Sequence, residues 1–228
     1  MSRLTIGILG LGVFGTAVAK TLHAYDTTLI AIDNHAQQIN QLEGILTRGI
    51  IGDFTDKEVL RAAGIASCDT LVVATGENLE SSVLAVLHAK ALGVPMVVAK
   101  AKSTTTMEVL LKIGADKVLL PERETGISLA KQLLHQATTS LIELDSQAAI
   151  VEFPTPEKWV GHSLNQLKLR QTYAINIIGI RHKGEETLTI QIQPDQPLQA
   201  GDLLMAVTSN QTIDHFEEYT NHLPKEML

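Results

Sequence analysis

The chain has 228 residues, 45% of them apolar, 19% charged and only 4% aromatic, with a formal net charge of −7. That balance describes a folded protein with an aliphatic core, built as one large domain or two small ones. The acidic surplus speaks against broad nucleic-acid binding, which draws on a basic face.

Cys68 is the one cysteine, so an intramolecular disulfide framework and a cysteine metal site are excluded. No stretch approaches the roughly 18 uninterrupted apolar residues of a membrane span, and no apolar run follows Arg3 as a secretory leader requires. The expectation is a cytoplasmic protein without direct membrane insertion, peripheral to a membrane only through a partner.

From Leu4 to Leu120 short β-like runs alternate with helical patterns. Residues 4–9 read as a strand and 14–24 as its helix; 28–32 form the second strand, followed by a helix around 35–43. A weak third strand at 48–51 precedes a helix at 56–63, and the run TLVVA at 70–74 has the β-branched content of a strand buried on both faces. Apolar residues recur at helical spacing over 79–92, and 96–99 and 117–120 supply two further strands. Strands alternating with helices of this length mean crossover units and a parallel sheet with helices on both faces, a Rossmann-type α/β domain.

Pro121 opens a helix running to about residue 136, and beyond Leu141 the pattern changes. Strands are expected at 148–153, 175–182, 188–193 and 203–208, with short helices near 163–167 and 212–218, and Pro154, Pro156, Pro194 and Pro197 marking turns. The domains therefore read as 1–139, Rossmann-type, and 140–228, a small α+β unit whose tail from Asn221 to Leu228 is expected to fray.

Gly10-Leu11-Gly12-Val13-Phe14-Gly15 fits G-x-G-x-x-G directly after a strand and at the opening of a helix, the context the motif needs. Gly10 permits the tight turn, Gly12 leaves room for a phosphate, and Gly15 lets helix and strand approach, while the helix end supplies free N–H groups. Asp33, 18 residues after Gly15 and followed by Asn34, ends the second strand, where a carboxylate accepts both hydroxyl protons of an adenosine ribose or caps the next helix. An acid there disfavours a 2′-phosphorylated ribose. Asp53 and Phe54 after the third strand, Thr75 and Gly76 after the fourth, and Lys100 after the fifth stand at the carboxyl ends of strands, where ligands sit in open α/β sheets. Asp53 reads equally as a base contact or a turn residue, and Lys100 as a phosphate contact or a solvated cation. Against these, no HExxH or HxxxH pair and no GxSxG elbow occurs, and no catalytic constellation emerges.

The segments ILGLGVFG, AID, GDFTDKEVLRAAGI, CDTLVVATGEN and VLLKIGADKVLLPERETG together resemble the regulator of potassium conductance (RCK) domains of KtrA-like subunits in Ktr/Trk-type potassium uptake systems. The last segment is the most specific, and the change of pattern near residue 140 resembles the start of the smaller C-terminal RCK domain, so the resemblance covers nearly the whole chain. It implies a regulatory subunit that is not an enzyme, assembling from dimers into an octameric ring on a membrane-embedded potassium transporter. ATP or ADP in the crevice would set the ring shape by binding one conformation more tightly than another.

The chain departs from the family pattern at Val13, where many members carry arginine (GLGRFG) reaching the terminal phosphate. That removes a charge-assisted contact worth roughly 1.5–3 kcal/mol, and makes NAD or NADH a competing ligand. Glu122, in PERETG, matches the family glutamate that binds a divalent cation beside the nucleotide; as the second residue of a helix opened by proline it equally stabilises the helix dipole. LRQTYAINIIGI resembles the segment that binds cyclic di-AMP in such proteins. The resemblance implies that Arg170 meets a phosphate, that Asn176 hydrogen-bonds at the dimer cleft, and that Ile175, Ile177 and Pro194 offer apolar surface to the adenines. Two other readings stay open: a small NAD-dependent oxidoreductase and a module sensing the NADH/NAD ratio.

Overall fold

Strand β1 (Thr5–Leu9) is apolar on both of its faces, and that dictates what surrounds it. Side chains alternate along a strand, and Ile6 and Ile8 enter one buried cluster while Leu9 enters another. The same split divides Leu29 and Ala31 from Ile30 and Ile32 on β2 (Thr28–Asp33), and Val72 from Leu71 and Val73 on β4 (Thr70–Val73). A sheet apolar on both sides has to be covered twice, which crossover helices accomplish.

A computed structural model describes residues 3–76, 78–134 and 140–215. With β3 (Arg48–Ile51), β5 (Met96–Lys100) and β6 (Lys117–Leu119), the sheet has six parallel strands in the order β3-β2-β1-β4-β5-β6. Helices α1 (Val13–His23) and α2 (Ala36–Asn40) cover the Ile6 and Ile8 side with Val18, Ala19, Leu22 and Ile39. The opposite side takes Leu60 and Ala63 of α3 (Lys57–Ala63), Ala85, Val86 and Ala89 of α4 (Leu79–Ala91), and Leu110 of α5 (Thr104–Lys112). Their starts are written locally: Asp56 accepts the Glu58 N–H, Asn78 those of Glu80 and Ser81, and Ser103 that of Thr106.

The sequence assigns no element between the fifth and sixth strands, where α5 forms. Three consecutive threonines open it, and their β-branched chains weaken its helical pattern. Its core contacts, Met107, Leu110 and Ile113, nevertheless recur every three residues. Cys68 lies buried in the same cluster, where desolvation pushes its thiol up to about 11, leaving it an inert core residue.

The two compact units are Met1–Glu124 and Thr125–Leu228, and they part within α6 (Pro121–Leu134). In the second unit β7 (Ser140–Glu143), β8 (Ala148–Pro154), β9 (Asn176–Arg181) and β10 (Leu203–Ser209) form an antiparallel sheet ordered β7-β8-β10-β9. Ala149, Val151 and Phe153 alternate inward on β8, as do Leu204 and Ala206 on β10, and they pack against Trp159, Leu167, Leu169, Ile175 and Leu198. The Phe153 and Trp159 rings meet edge to face, 6.0 Å apart. Helix α7 (Leu164–Leu167) starts on a reciprocal cap between Ser163 and Gln166, and α8 (Leu169–Tyr173) follows it.

The strand expected at 188–193 does not form. Thr189 makes an isolated bridge to Ile180 and Leu188 packs across Gly179, but Ile190 is 73% exposed, so the alternation there buries nothing further. The C-terminal helix α9 (Asn210–Asp214) starts two residues earlier than expected, capped by Ser209. The expected end of the Pro121 helix at 136, the continuation of α9 to 218 and the tail from 221 lie outside the described residues.

Candidate functional site

Strand order reverses at β1, which has β2 on one side and β4 on the other, and the crevice beyond their carboxyl ends is where open α/β sheets hold ligands. There the glycine-rich turn leaves β1. Gly10 adopts φ +89°, a left-handed conformation that favours glycine, and its N–H bonds the Ile32 carbonyl at 2.9 Å. The next N–H, of Leu11, donates to Asp33 Oδ2 at 2.7 Å, and His35 N–H donates to Asp33 Oδ1 at 2.8 Å. Asp33 thus ties the turn to the end of β2 with its buried carboxylate, and a carboxylate has further lone pairs beyond these two bonds.

Helix α1 begins at Gly12 with no side-chain cap and no acid in its first turn. Its leading N–H groups and positive dipole end are therefore presented to whatever anion enters. A Cβ at Gly12 would meet nothing within 4 Å, and the residue's φ of −65° suits any side chain. Gly15 is the opposite case: a Cβ there would lie 2.0 Å from the Gly10 carbonyl oxygen and 3.1 Å from the Ala74 Cβ. One glycine is needed by the fold and the other leaves open space.

Gly10, Gly12, Val13 and Phe14 of this turn line a cleft of about 520 Å³, together with Asp33, Asn34 and Phe54 from the strand ends beside it. Thr75, Gly76, Lys100 and Glu122 close the other side. The volume falls within the range of small-molecule sites. Lys100 Nζ lies 2.6 Å from Glu122 Oε1 and 5.9 Å from the centre of the Phe14 ring. The hydrogen bond from Lys100 holds the Glu122 carboxyl below the usual carboxylate range. Val13 is 95% exposed at the cleft.

Two residues named with the motif do not line this cleft. Gly15 serves packing, and the exposed Asp53 accepts hydrogen bonds from Thr55 N–H and Oγ1 at 2.8 and 2.7 Å, which hold its carboxyl below the usual range and fix the turn before α3. The cleft adds His35, Asn78 and Ser81, which the motif does not mark. Asn78 was accessible to sequence reasoning, since it follows the fourth strand and caps the next helix. As to a cation, no group of three His, Cys, Asp or Glu side chains that could hold a metal occurs among the described residues, and the Glu122 carboxylate is paired with Lys100.

In the second unit Arg170 is exposed on α8, with Asn176 and Pro194 also exposed. Ile175 is not: it is 1% exposed and part of the core with Trp159 and Leu204, so the expectation that it offers apolar surface is corrected, and Ile177 packs partly against the same core. Two non-glycine residues in left-handed conformations, Lys168 (φ +46°) and Ala174 (φ +56°), bracket α8. Strain of this kind concentrates at functional segments. Ala174→Gly is expected to raise stability by about 1 kcal/mol, measured as a higher urea midpoint; an unchanged midpoint would show that no strain is held there. A cavity lined by Ile180, Thr189, Leu198 and the paired His182 and Asp202, whose Nδ1 and Oδ2 lie 2.9 Å apart, measures about 30 Å³, room for a water molecule rather than an organic ligand.

Comparison with known proteins follows the same division. The TrkA-N domain model matches residues 6–121 and the TrkA-C domain model residues 148–221. The chain is 31% identical over 215 residues to Ktr system potassium uptake protein C of Bacillus subtilis, covering 94% of this chain and 96% of that protein. It is 29% identical over 210 residues to Ktr system potassium uptake protein A of the same organism, covering 92% and 94%.

Among solved structures, the GsuK channel bound to NAD superposes with a TM-score of 0.64 at 22% identity, over 98% of this chain but only 40% of that one, and GsuK bound to ADP with 0.50 at 19%, over 60% and 35%. The AMP-bound C-terminal domain of Kef from Shewanella denitrificans gives 0.50 at 25% identity, over 57% of this chain and 81% of that one.

Proposed function

The chain belongs to the family that joins a TrkA-N domain to a TrkA-C domain, and from that premise we propose that it is a nucleotide-sensing regulatory subunit of a potassium uptake system, acting by binding rather than by catalysis. The observation that carries the potassium role is its similarity to Ktr proteins along nearly the full length of both chains. The sensing role is supported by the cleft. It offers an uncapped helix end for phosphate, a carboxylate at the end of β2 for ribose hydroxyls, and an ammonium at Lys100.

The ligand is an adenine nucleotide. Val13 favours one without a third phosphate, ADP, AMP or NAD, over ATP, because an exposed apolar side chain stands where an arginine would reach that phosphate. A divalent cation at Glu122 would take its remaining ligands from the nucleotide phosphates and from a second copy of the chain. On the second unit, the exposed Arg170, Asn176 and Pro194 form the surface for cyclic di-AMP. The subunit acts at the membrane through a transporter partner and assembles as a homo-oligomeric ring; no described helix is long and apolar enough to cross a bilayer.

Two measurements test this. Potassium flux through the transporter subunit from the same cell should change when the chain is added and change again with nucleotide; a flux indifferent to the chain removes the regulatory role. Gly12→Ala is expected to leave stability within about 0.5 kcal/mol of wild type, since its Cβ meets nothing. Adenine-nucleotide affinity should fall by about tenfold or more, because the methyl group stands where the phosphate must approach the helix. Titration calorimetry reads this directly, and unaltered binding by the folded variant would place the ligand elsewhere.

A further inference from the structure

Resting on the nucleotide reading of the cleft, one contact within it goes further. Among the described residues Lys100 is the one lysine or arginine lining the cleft, and it already has a partner. Its side chain is 15% exposed, its stem lies against Gly76, and its ammonium stands over Phe14 in the first turn of α1, beside the helix end that faces the cleft. The carboxylates among the described lining residues are those of Asp33 and Glu122, and Glu122 sits 2.6 Å from the ammonium. An arriving phosphate therefore finds its cation neutralised.

We infer that Glu122 is a selectivity element, an internal anion that a ligand phosphate must displace from Lys100, so that the cleft favours nucleotides ending in a terminal phosphate over dinucleotides whose phosphates form an internal pyrophosphate bridge. A terminal phosphoryl group, with a second pKa near ~6, carries almost two negative charges at neutral pH, whereas each phosphate of a bridging pyrophosphate carries a single one. The doubly charged group outcompetes a carboxylate for an ammonium, and the singly charged group does little more than match it. Val13 sharpens the competition, because the motif brings no second cation to relieve Lys100. Exposure sets which partner moves. Glu122, with 64% of its side chain exposed, swings into water at little cost, while Lys100 is held between Gly76 and Phe14.

The test is titration calorimetry of the full chain with ADP and with NAD, in chelator and without divalent cations, on wild type, Glu122→Gln and Glu124→Gln. Wild type should favour ADP. Glu122→Gln should tighten both ligands, NAD by about tenfold and ADP by about threefold, narrowing the preference. Glu124→Gln removes the same charge from the same helical turn and should leave both affinities within about twofold. In a Lys100→Met background, Glu122→Gln should have no further effect.

Unchanged or weaker binding by Glu122→Gln, equal tightening for both nucleotides, or the same tightening from Glu124→Gln would overturn the selectivity role while leaving the nucleotide reading in place. A folded wild type that binds neither ADP nor NAD would overturn the nucleotide reading itself, and this inference with it. Thermal melts of each variant accompany the titrations; Gln for an exposed Glu is isosteric and is expected to melt with wild type.

Discussion

Gly15→Ala is expected to cost the N-terminal unit about 3 kcal/mol or more. The added Cβ would lie 2.0 Å from the Gly10 carbonyl oxygen, a backbone atom that cannot rotate away, and 3.1 Å from the Cβ of Ala74, just past the end of β4. Relief requires α1 to withdraw from β1 and β4, which opens the cluster of Ile8, Leu11, Ala19 and Val72 beneath it. Thermal unfolding followed by circular dichroism should show a midpoint lowered by about 10 °C or more. A variant melting within about 2 °C of wild type would mean that helix and strand are not held at this distance. Set beside Gly12→Ala, it separates the two duties of the motif: position 15 is demanded by the chain's own packing, whereas position 12 has open space around it and is expected to matter only to a ligand.

Asp33→Ala should damage both stability and binding. Its carboxylate accepts the buried Leu11 N–H at 2.7 Å and the His35 N–H at 2.8 Å, bonds to a charged acceptor whose loss leaves an amide unsatisfied inside the turn. A loss of about 2–3 kcal/mol follows, read from the urea midpoint. At temperatures where the variant remains folded, the proposed ribose role of the same carboxylate predicts that adenine-nucleotide binding falls below detection. A variant that loses stability and keeps its affinity would assign Asp33 to the architecture of the turn alone. The sequence poses this residue as a ribose contact or a helix cap. The geometry shows the Asp33 carboxylate bonding the N–H of His35, the residue that begins the helix, and bracing the glycine-rich turn through the Leu11 N–H as well.

How much of this was legible in the sequence depends on how local the cause was. The six-strand α/β order could be read because each strand is an apolar run between helical patterns, and the phosphate turn because its glycines follow a strand. Glu122 could be found only through the resemblance, and nothing in the sequence joins it to Lys100, 22 positions earlier; the sheet brings the end of β5 beside the start of α6. Thr104, Thr105 and Thr106 hid α5, since β-branched residues weaken helical propensity even where the apolar spacing is right. The stretch at 188–193 misled for the converse reason: its alternation is that of a strand, yet Ile190 faces solvent and Thr189 makes the isolated bridge. Ile175 carried the look of a surface contact within LRQTYAINIIGI, but the left-handed turn at Ala174 sends the chain back to the core, where Ile175 N–H donates to the Leu169 carbonyl.

Trp159 is the chain's one tryptophan, fully buried beside Phe153, and its indole N–H finds no hydrogen-bond partner among the described residues. An indole in so apolar a setting emits toward the blue, and its fluorescence belongs to the second unit alone. The first unit, with its cleft, carries Phe14, Tyr25 and Phe54 and no indole, so it is dark at tryptophan wavelengths. Melting of the C-terminal core is therefore optically separable from melting of the Rossmann-type unit without any label. A change in that emission on adding nucleotide would be a signal generated in one unit and received in the other.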